Sequence, residues 1–298
     1  MDQSPQTSKE YRTGTWLVLS AAVLWGTTGT AQALAPESAS PASIGAVRLV
    51  LGGLALLVFA VWRRALHRGE RWPWRITLAA AVSIAAYQIC FFAGVARTGV
   101  AIGTMVGIGS SPILAGIIGF LVRGERPDRR WAVATALAIA GCILLLAAGG
   151  SIQIDALGIL LAVGAGGAYA LFTVTSKGLL DSKPPEAVMA VTFCLGALFL
   201  LPVLFTADMS WMRQPGGMVV ALHLGIVTVG VAYSLFARGL SLVPVAVAAT
   251  LTLAEPLTAS MLGVFLLGER LNLMAAIGIL LIFAGLAWLS TRNRSRAV

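Results

Sequence analysis

The sequence predicts an all-α integral membrane protein of ten transmembrane helices, arranged as two inverted five-helix repeats around a central cavity. Three observations predict it: the apolar content, ten apolar runs of membrane length, and a duplication at a spacing of 144 residues. Of 298 residues, 58% are apolar and 11% are charged. A soluble chain of this size cannot hide so much apolar surface. A hydrocarbon core takes about 20 apolar residues per helix, and ten runs fit at 15–34, 42–62, 76–96, 99–122, 131–148, 156–177, 186–205, 217–237, 243–267 and 272–290. They are continuous and lack period-two alternation, which selects helices over a barrel.

Each run has its own marks. The first carries Trp25-Gly26 and is too long for a signal segment ending at Ala31-Gln32-Ala33, so it is expected to be retained. The second follows Pro41 and contains Arg48; the third holds Tyr87-Gln88-Ile89-Cys90-Phe91. The fourth bears Gly99, Gly103 and Gly107 at every fourth position, a stripe that lets another helix approach, then Ser110-Ser111-Pro112. The fifth and tenth are apolar apart from their ends. The sixth contains Tyr169, the eighth His223, and the ninth Glu255-Pro256, where proline is expected to free the Thr252 carbonyl and kink the helix. Trp72, Trp74, Trp211 and Trp288 stand near run ends and read as interface anchors.

A net charge of +9 raises the question of nucleic acid, but the basic residues sit in short loops between apolar runs. They act as topology signals. With the N-terminus inside, the inner segments hold Lys9, Arg12, Arg63, Arg64, Arg68, Arg71, Arg75, Arg123, Arg126, Arg129, Arg130, Lys177, Lys183, Arg238, Arg292, Arg294 and Arg296. The outer ones hold Arg97, Arg213 and Arg270, so the ratio is 17 to 3, with Arg48 inside a span. A bacterial inner membrane with both termini in the cytoplasm is expected. Cys90, Cys142 and Cys194 lie inside apolar runs without disulfide or metal spacing, and no cofactor or metal is expected. The expected partners are the lipid bilayer and a small-molecule substrate, with oligomeric state left open.

Shifted by 144 residues, Pro41 falls on Pro185, Gly52 on Gly196, Phe92-Ala93 on Phe236-Ala237, Pro112 on Pro256 and Gly124-Glu125-Arg126 on Gly268-Glu269-Arg270. Positions 112–145 carry 11 identities in 34 without a gap. The expected organisation is a tail at 1–14, a first repeat at 15–150, a second at 151–290 and a tail at 291–298. Five helices per repeat invert the second copy in the membrane. Two such copies can exchange conformations and expose one site to either side, the construction of secondary transporters.

Trp25-Gly26, Arg48, Glu255-Pro256 and the two Gly-Glu-Arg turns resemble the EamA-type branch of the drug/metabolite transporter superfamily over almost the whole chain. Tyr87 to Phe91 is similar to the corresponding stretch of amino-acid exporters of the YddG type. The resemblance implies ten helices, a cavity between the halves, and export of amino acids, aromatic ones included. Nucleosides, sugars or drugs remain alternative cargoes, and a channel, a scramblase or an intramembrane enzyme alternative classes. No Gly-x-Ser-x-Gly, His-Glu-x-x-His or P-loop pattern is present.

Polar groups within the spans are the candidate substrate contacts. Glu255 suits a substrate amine or proton coupling, or a structural hydroxyl or Arg48 partner. Arg48 suits a carboxylate, pairing with Glu255, or snorkelling. His223 suits a proton switch or a packing hydrogen bond. Trp25 and Tyr169 coincide in the two repeats, and with Tyr87 and Gln88 offer rings and polar tips to an amphipathic ligand, or simple packing. Ser110 completes the candidate set.

Overall fold

A computed structural model describes residues 8–66, 72–98, 100–148, 155–267 and 272–290. Gly99, Arg68, Arg71, the turn at 268–270 and the tail with Arg292, Arg294 and Arg296 lie outside the described residues, as do residues 1–7 of the N-terminal tail. The first seven helices are α1 (Ser8–Ala33), α2 (Pro41–Trp62), α3 (Trp74–Thr98), α4 (Val100–Arg123), α5 (Arg129–Ala148), α6 (Ala156–Leu180) and α7 (Pro185–Thr206). The eighth span is α8 (Pro215–Leu222), a π-helical segment (His223–Val231) and α9 (Ala232–Leu242) in one continuous course. The ninth is α10 (Val245–Leu251) followed by α11 (Ala254–Leu267), and the tenth is α12 (Leu273–Ser290).

Among the described residues, nine helical stretches are long and apolar enough to cross a membrane. The remaining one, α1, has 26 residues, enough to cross, but threonines and a polar first turn dilute it. It starts ahead of the apolar run because Lys9, Glu10 and Arg12 continue the helix past the membrane boundary. With α1 the count is ten.

Two sequence expectations are corrected. The Thr252 carbonyl is not left free: the ninth span breaks at Thr252-Leu253, and the Glu255 N–H donates to that carbonyl at 2.9 Å. Trp211 is not an interface anchor but fully buried. The 3₁₀ turn Ser210–Arg213 folds it among Ile44, Val47, Val220 and Leu224. Trp74 and Trp288 remain exposed, as anchors do.

Packing follows the repeat. One bundle is α3, α4 and α6; the other is α1 with the eighth span and α11. The pairs α2 with α7 and α5 with α12 bridge them. Exchanging spans 1 with 6, 2 with 7, 3 with 8, 4 with 9 and 5 with 10 maps one bundle onto the other and each bridging pair onto itself. The α5–α12 crossing shows this residue by residue. A Cβ on Gly141 would stand 2.5 Å from the Gly278 carbonyl oxygen, and one on Gly285 would stand 2.6 Å from that of Ala134. Gly285 and Ala134 are the repeat counterparts of Gly141 and Gly278. The crossing is therefore a two-fold contact that small residues make possible.

Candidate functional site

Between the bundles lies a cavity with about 490 Å³ of empty space, its open mouth included. One bundle lines it with Tyr87, Phe91, Gly107, Ile108, Ser111 and Tyr169, the other with Trp25, Thr28, Tyr233, Thr252 and Glu255, and α2 adds Arg48.

The rings form a connected wall. The Trp25 indole N–H donates to the Thr228 carbonyl of the π segment at 2.8 Å, which fixes the ring's orientation. Trp25 then meets Tyr233 at 4.8 Å, Phe236 at 5.3 Å and Tyr169 edge-on at 6.3 Å between centroids. Tyr87 stacks on Phe91 at 5.5 Å and contacts Tyr169 at 5.5 Å. Deeper in the protein, Phe172, Phe193 and Tyr233 close the layer, with Phe193 and Tyr233 4.4 Å apart.

The charged groups come from different elements. Arg48 is 7% exposed and reaches the cavity from α2, and among the described residues its Nε has no hydrogen-bond partner. Glu255 faces the same space from the start of α11. Among the described residues no ion pair joins them. The Tyr169 hydroxyl and the Thr28 hydroxyl are also buried without partners there. Gly26 allows the approach of α1 to this turn, since a Cβ on it would stand 2.9 Å from the Glu255 carbonyl oxygen. The Trp-Gly and Glu-Pro signatures are thus two sides of one contact.

The two proline sites differ instructively. In α4 the Ser111 hydroxyl donates to the Ile108 carbonyl at 3.0 Å, which lies four residues before Pro112 and loses its helical donor there. The helix then continues. In the second repeat Glu255 occupies the serine position, its side chain points to the cavity, and the helix breaks instead.

Of the residues expected from sequence, Trp25, Arg48, Tyr87, Tyr169 and Glu255 come together here. Gln88, Ser110 and His223 are placed outside the lining. The Gln88 amide donates to the Gly45 carbonyl at 3.4 Å, Ser110 donates to the Gly107 carbonyl at 3.1 Å, and His223 Nε2 sits 2.9 Å from Thr27 Oγ1. Thr28, Gly107, Ile108, Tyr233 and Thr252 join the wall without having been singled out as contacts. Tyr233 left one trace in the sequence, three residues before the Phe236-Ala237 pair that the repeat aligns.

The fold and cavity define a class: polytopic membrane proteins whose two inverted repeats enclose a cavity. The EamA-like transporter family model matches residues 12–147 and again 156–291. The chain belongs to the EamA-like transporter family, as a multi-pass protein whose partners are the bilayer and a small-molecule substrate. It is 47% identical over 280 residues to YwfM, an uncharacterized transporter of Bacillus subtilis, covering 94% of both chains. It is 28% identical over 289 residues to the threonine/homoserine exporter RhtA of Escherichia coli, covering 94% of this chain and 92% of the relative. A protein of known crystal structure superposes with a TM-score of 0.80 at 21% identity, over 92% of this chain and 95% of the other, which shows the shared fold.

Proposed function

We propose that the protein exports amino acids, aromatic ones included, across a bacterial inner membrane by alternating access between its two bundles. The observation that carries the reading is Arg48, a buried guanidinium in the cavity wall that has, among the described residues, an unpartnered Nε and no ion pair to Glu255. A buried guanidinium N–H without an acceptor is costly, and a ligand carboxylate supplies the bidentate acceptor that a guanidinium fits. Glu255 across the space suits an ammonium, and the rings of Trp25, Tyr87, Phe91, Tyr169 and Tyr233 suit an apolar or aromatic side chain.

The relative RhtA bears the name of an amino-acid exporter, which supports the class and also favours a second reading, small hydroxyl amino acids. The basic loops favour cytoplasmic termini, with 15–150 and 151–290 as the two repeats between the tails 1–14 and 291–298. Glu255 and His223 are the groups available for proton coupling.

The test is counterflow in reconstituted vesicles. Unlabelled phenylalanine trapped inside is expected to accelerate uptake of labelled phenylalanine over empty vesicles, with tryptophan and tyrosine competing. Competition by threonine and homoserine alone would select the second reading. Failure of every amino acid to compete overturns the proposal, and equal rates with empty vesicles rule out exchange.

A further inference from the structure

Lys177 counts in the sequence as one more basic residue near a span end. The structure gives it a different position. It is 9% exposed, near the end of α6, and its Nζ donates to the carbonyls of Leu240 at 2.7 Å, Ser241 at 3.0 Å and Val243 at 3.1 Å. An ammonium has three donors and no acceptor, so these contacts satisfy it fully. They also cap the C-terminal carbonyls of α9, where a cation is favoured. Directly after that break, Glu125 accepts the Val245 N–H at 2.8 Å and so caps the start of α10. Arg123 holds Glu125 at 3.2 Å and Asp181 at 3.0 Å. Gly124 provides the turn between them with φ +69°, a left-handed value that favours glycine.

These contacts run between bundles. Lys177 belongs to α6 and Glu125 to the turn after α4; the carbonyls and the N–H they meet belong to the end of the eighth span and the start of the ninth. Behind the clamp the cavity is sealed by Phe172, Phe193 and Phe236, each no more than 1% exposed. The clamp also lacks a repeat counterpart for its cation, because the residue 144 positions before Lys177 is Ala33. An inverted repeat with matched contacts at both ends would balance its two conformations. Here an ammonium closes this end, and Ala33 at the matching position of the first repeat offers none.

We infer that Lys177, seated across the α9–α10 break and supported by Glu125, is the latch that holds the two bundles together at this end and biases the resting protein toward the conformation closed there. Loss of the latch lets the α9–α10 break swing away and opens the path that the aromatic layer fills.

The test needs neither substrate nor membrane orientation, so it stands apart from the amino-acid reading. Ser176 is fully buried two turns along α6 from the cavity residue Tyr169, and its hydroxyl is unpartnered among the described residues. It marks the sealed path. In full-length purified protein with Cys90, Cys142 and Cys194 replaced by alanine, S176C reports opening through its rate of labelling by a bulky maleimide. Lys177→Met is expected to raise that rate about tenfold, the effect of losing charge-assisted hydrogen bonds on a two-state balance. Glu125→Gln, which keeps the shape of the side chain, is expected to raise it about threefold. A folded Lys177→Met protein labelled at the parent rate overturns the inference. If that variant does not purify, an unchanged rate in Glu125→Gln overturns it equally.

Discussion

Arg48 shows how much a single residue can carry and how little of that its sequence context reveals. An ionisable group in a span costs about 2.5–3.5 kcal/mol on insertion scales, so its mere presence marks it. Its direction is another matter. Pairing with Glu255, snorkelling and ligand contact all fit position 48 of a helix, and only packing distinguishes them: the side chain is buried, lines the cavity and makes no ion pair there among the described residues. His223 and Gln88 are the opposite case, since equally plausible spacing puts them on a threonine hydroxyl and a backbone carbonyl. A helix has more than one buried face, and a polar residue on it reports burial without reporting which neighbour it meets. The carboxylate role predicts that Arg48→Gln raises the half-saturating concentration of amino acid in counterflow by roughly tenfold or more, the worth of a charge-assisted hydrogen bond. An amino-acid amide, which lacks the carboxylate, should compete about equally against wild type and variant. A proportional loss for acid and amide would remove Arg48 from carboxylate binding.

Helices as elements were legible because a bilayer permits few alternatives: apolar runs of membrane length must close their own backbone hydrogen bonds. The interruptions were less so. Pro256 signalled a distortion in the ninth span, but the break and the recapture of the Thr252 carbonyl by the Glu255 N–H depend on how α1 and α11 meet. The π segment His223–Val231 has no proline to announce it and touches α1 and α2 instead. Close helix crossings rest on glycines: the stripe in the fourth span announced Gly103 and Gly107, which meet α3 and α6, but nothing in the sequence tells which other glycines stand at a crossing. They separate in a stability measurement. Gly285→Ala places a Cβ 2.6 Å from a backbone oxygen across the α5–α12 crossing, whereas nothing lies within 4 Å of a Cβ on Gly29 in α1. Overpacking costs about 1–3 kcal/mol, and removing a helical glycine into open space gains up to about 1 kcal/mol. Gly285→Ala should therefore lower the thermal midpoint in detergent and Gly29→Ala leave it equal or higher. Equal midpoints for both would deny that the α5–α12 contact is close.

At the scale of the whole molecule, the proposed alternation rests on the packing symmetry. Bundles made of spans 3, 4 and 6 and of spans 8, 9 and 1 each take helices from both repeats, so neither half can move without carrying part of the other's wall. Two-fold exchange of the bundles requires the second repeat to enter the bilayer upside down relative to the first. Ser38 and Ser182 test this directly. They are exposed, they occupy the short connections after α1 and after α6, and they are separated by the repeat spacing of 144 residues. Equivalent positions of inverted copies must face opposite compartments. In sealed right-side-out vesicles of a cysteine-free background, an impermeant maleimide should label one of S38C and S182C before lysis and the other only after it. By the charge of the loops, S38C is the one reached from outside. If both react from the same side, the copies are parallel, the exchange of bundles has no axis to act about, and the cavity between them cannot open to each face in turn.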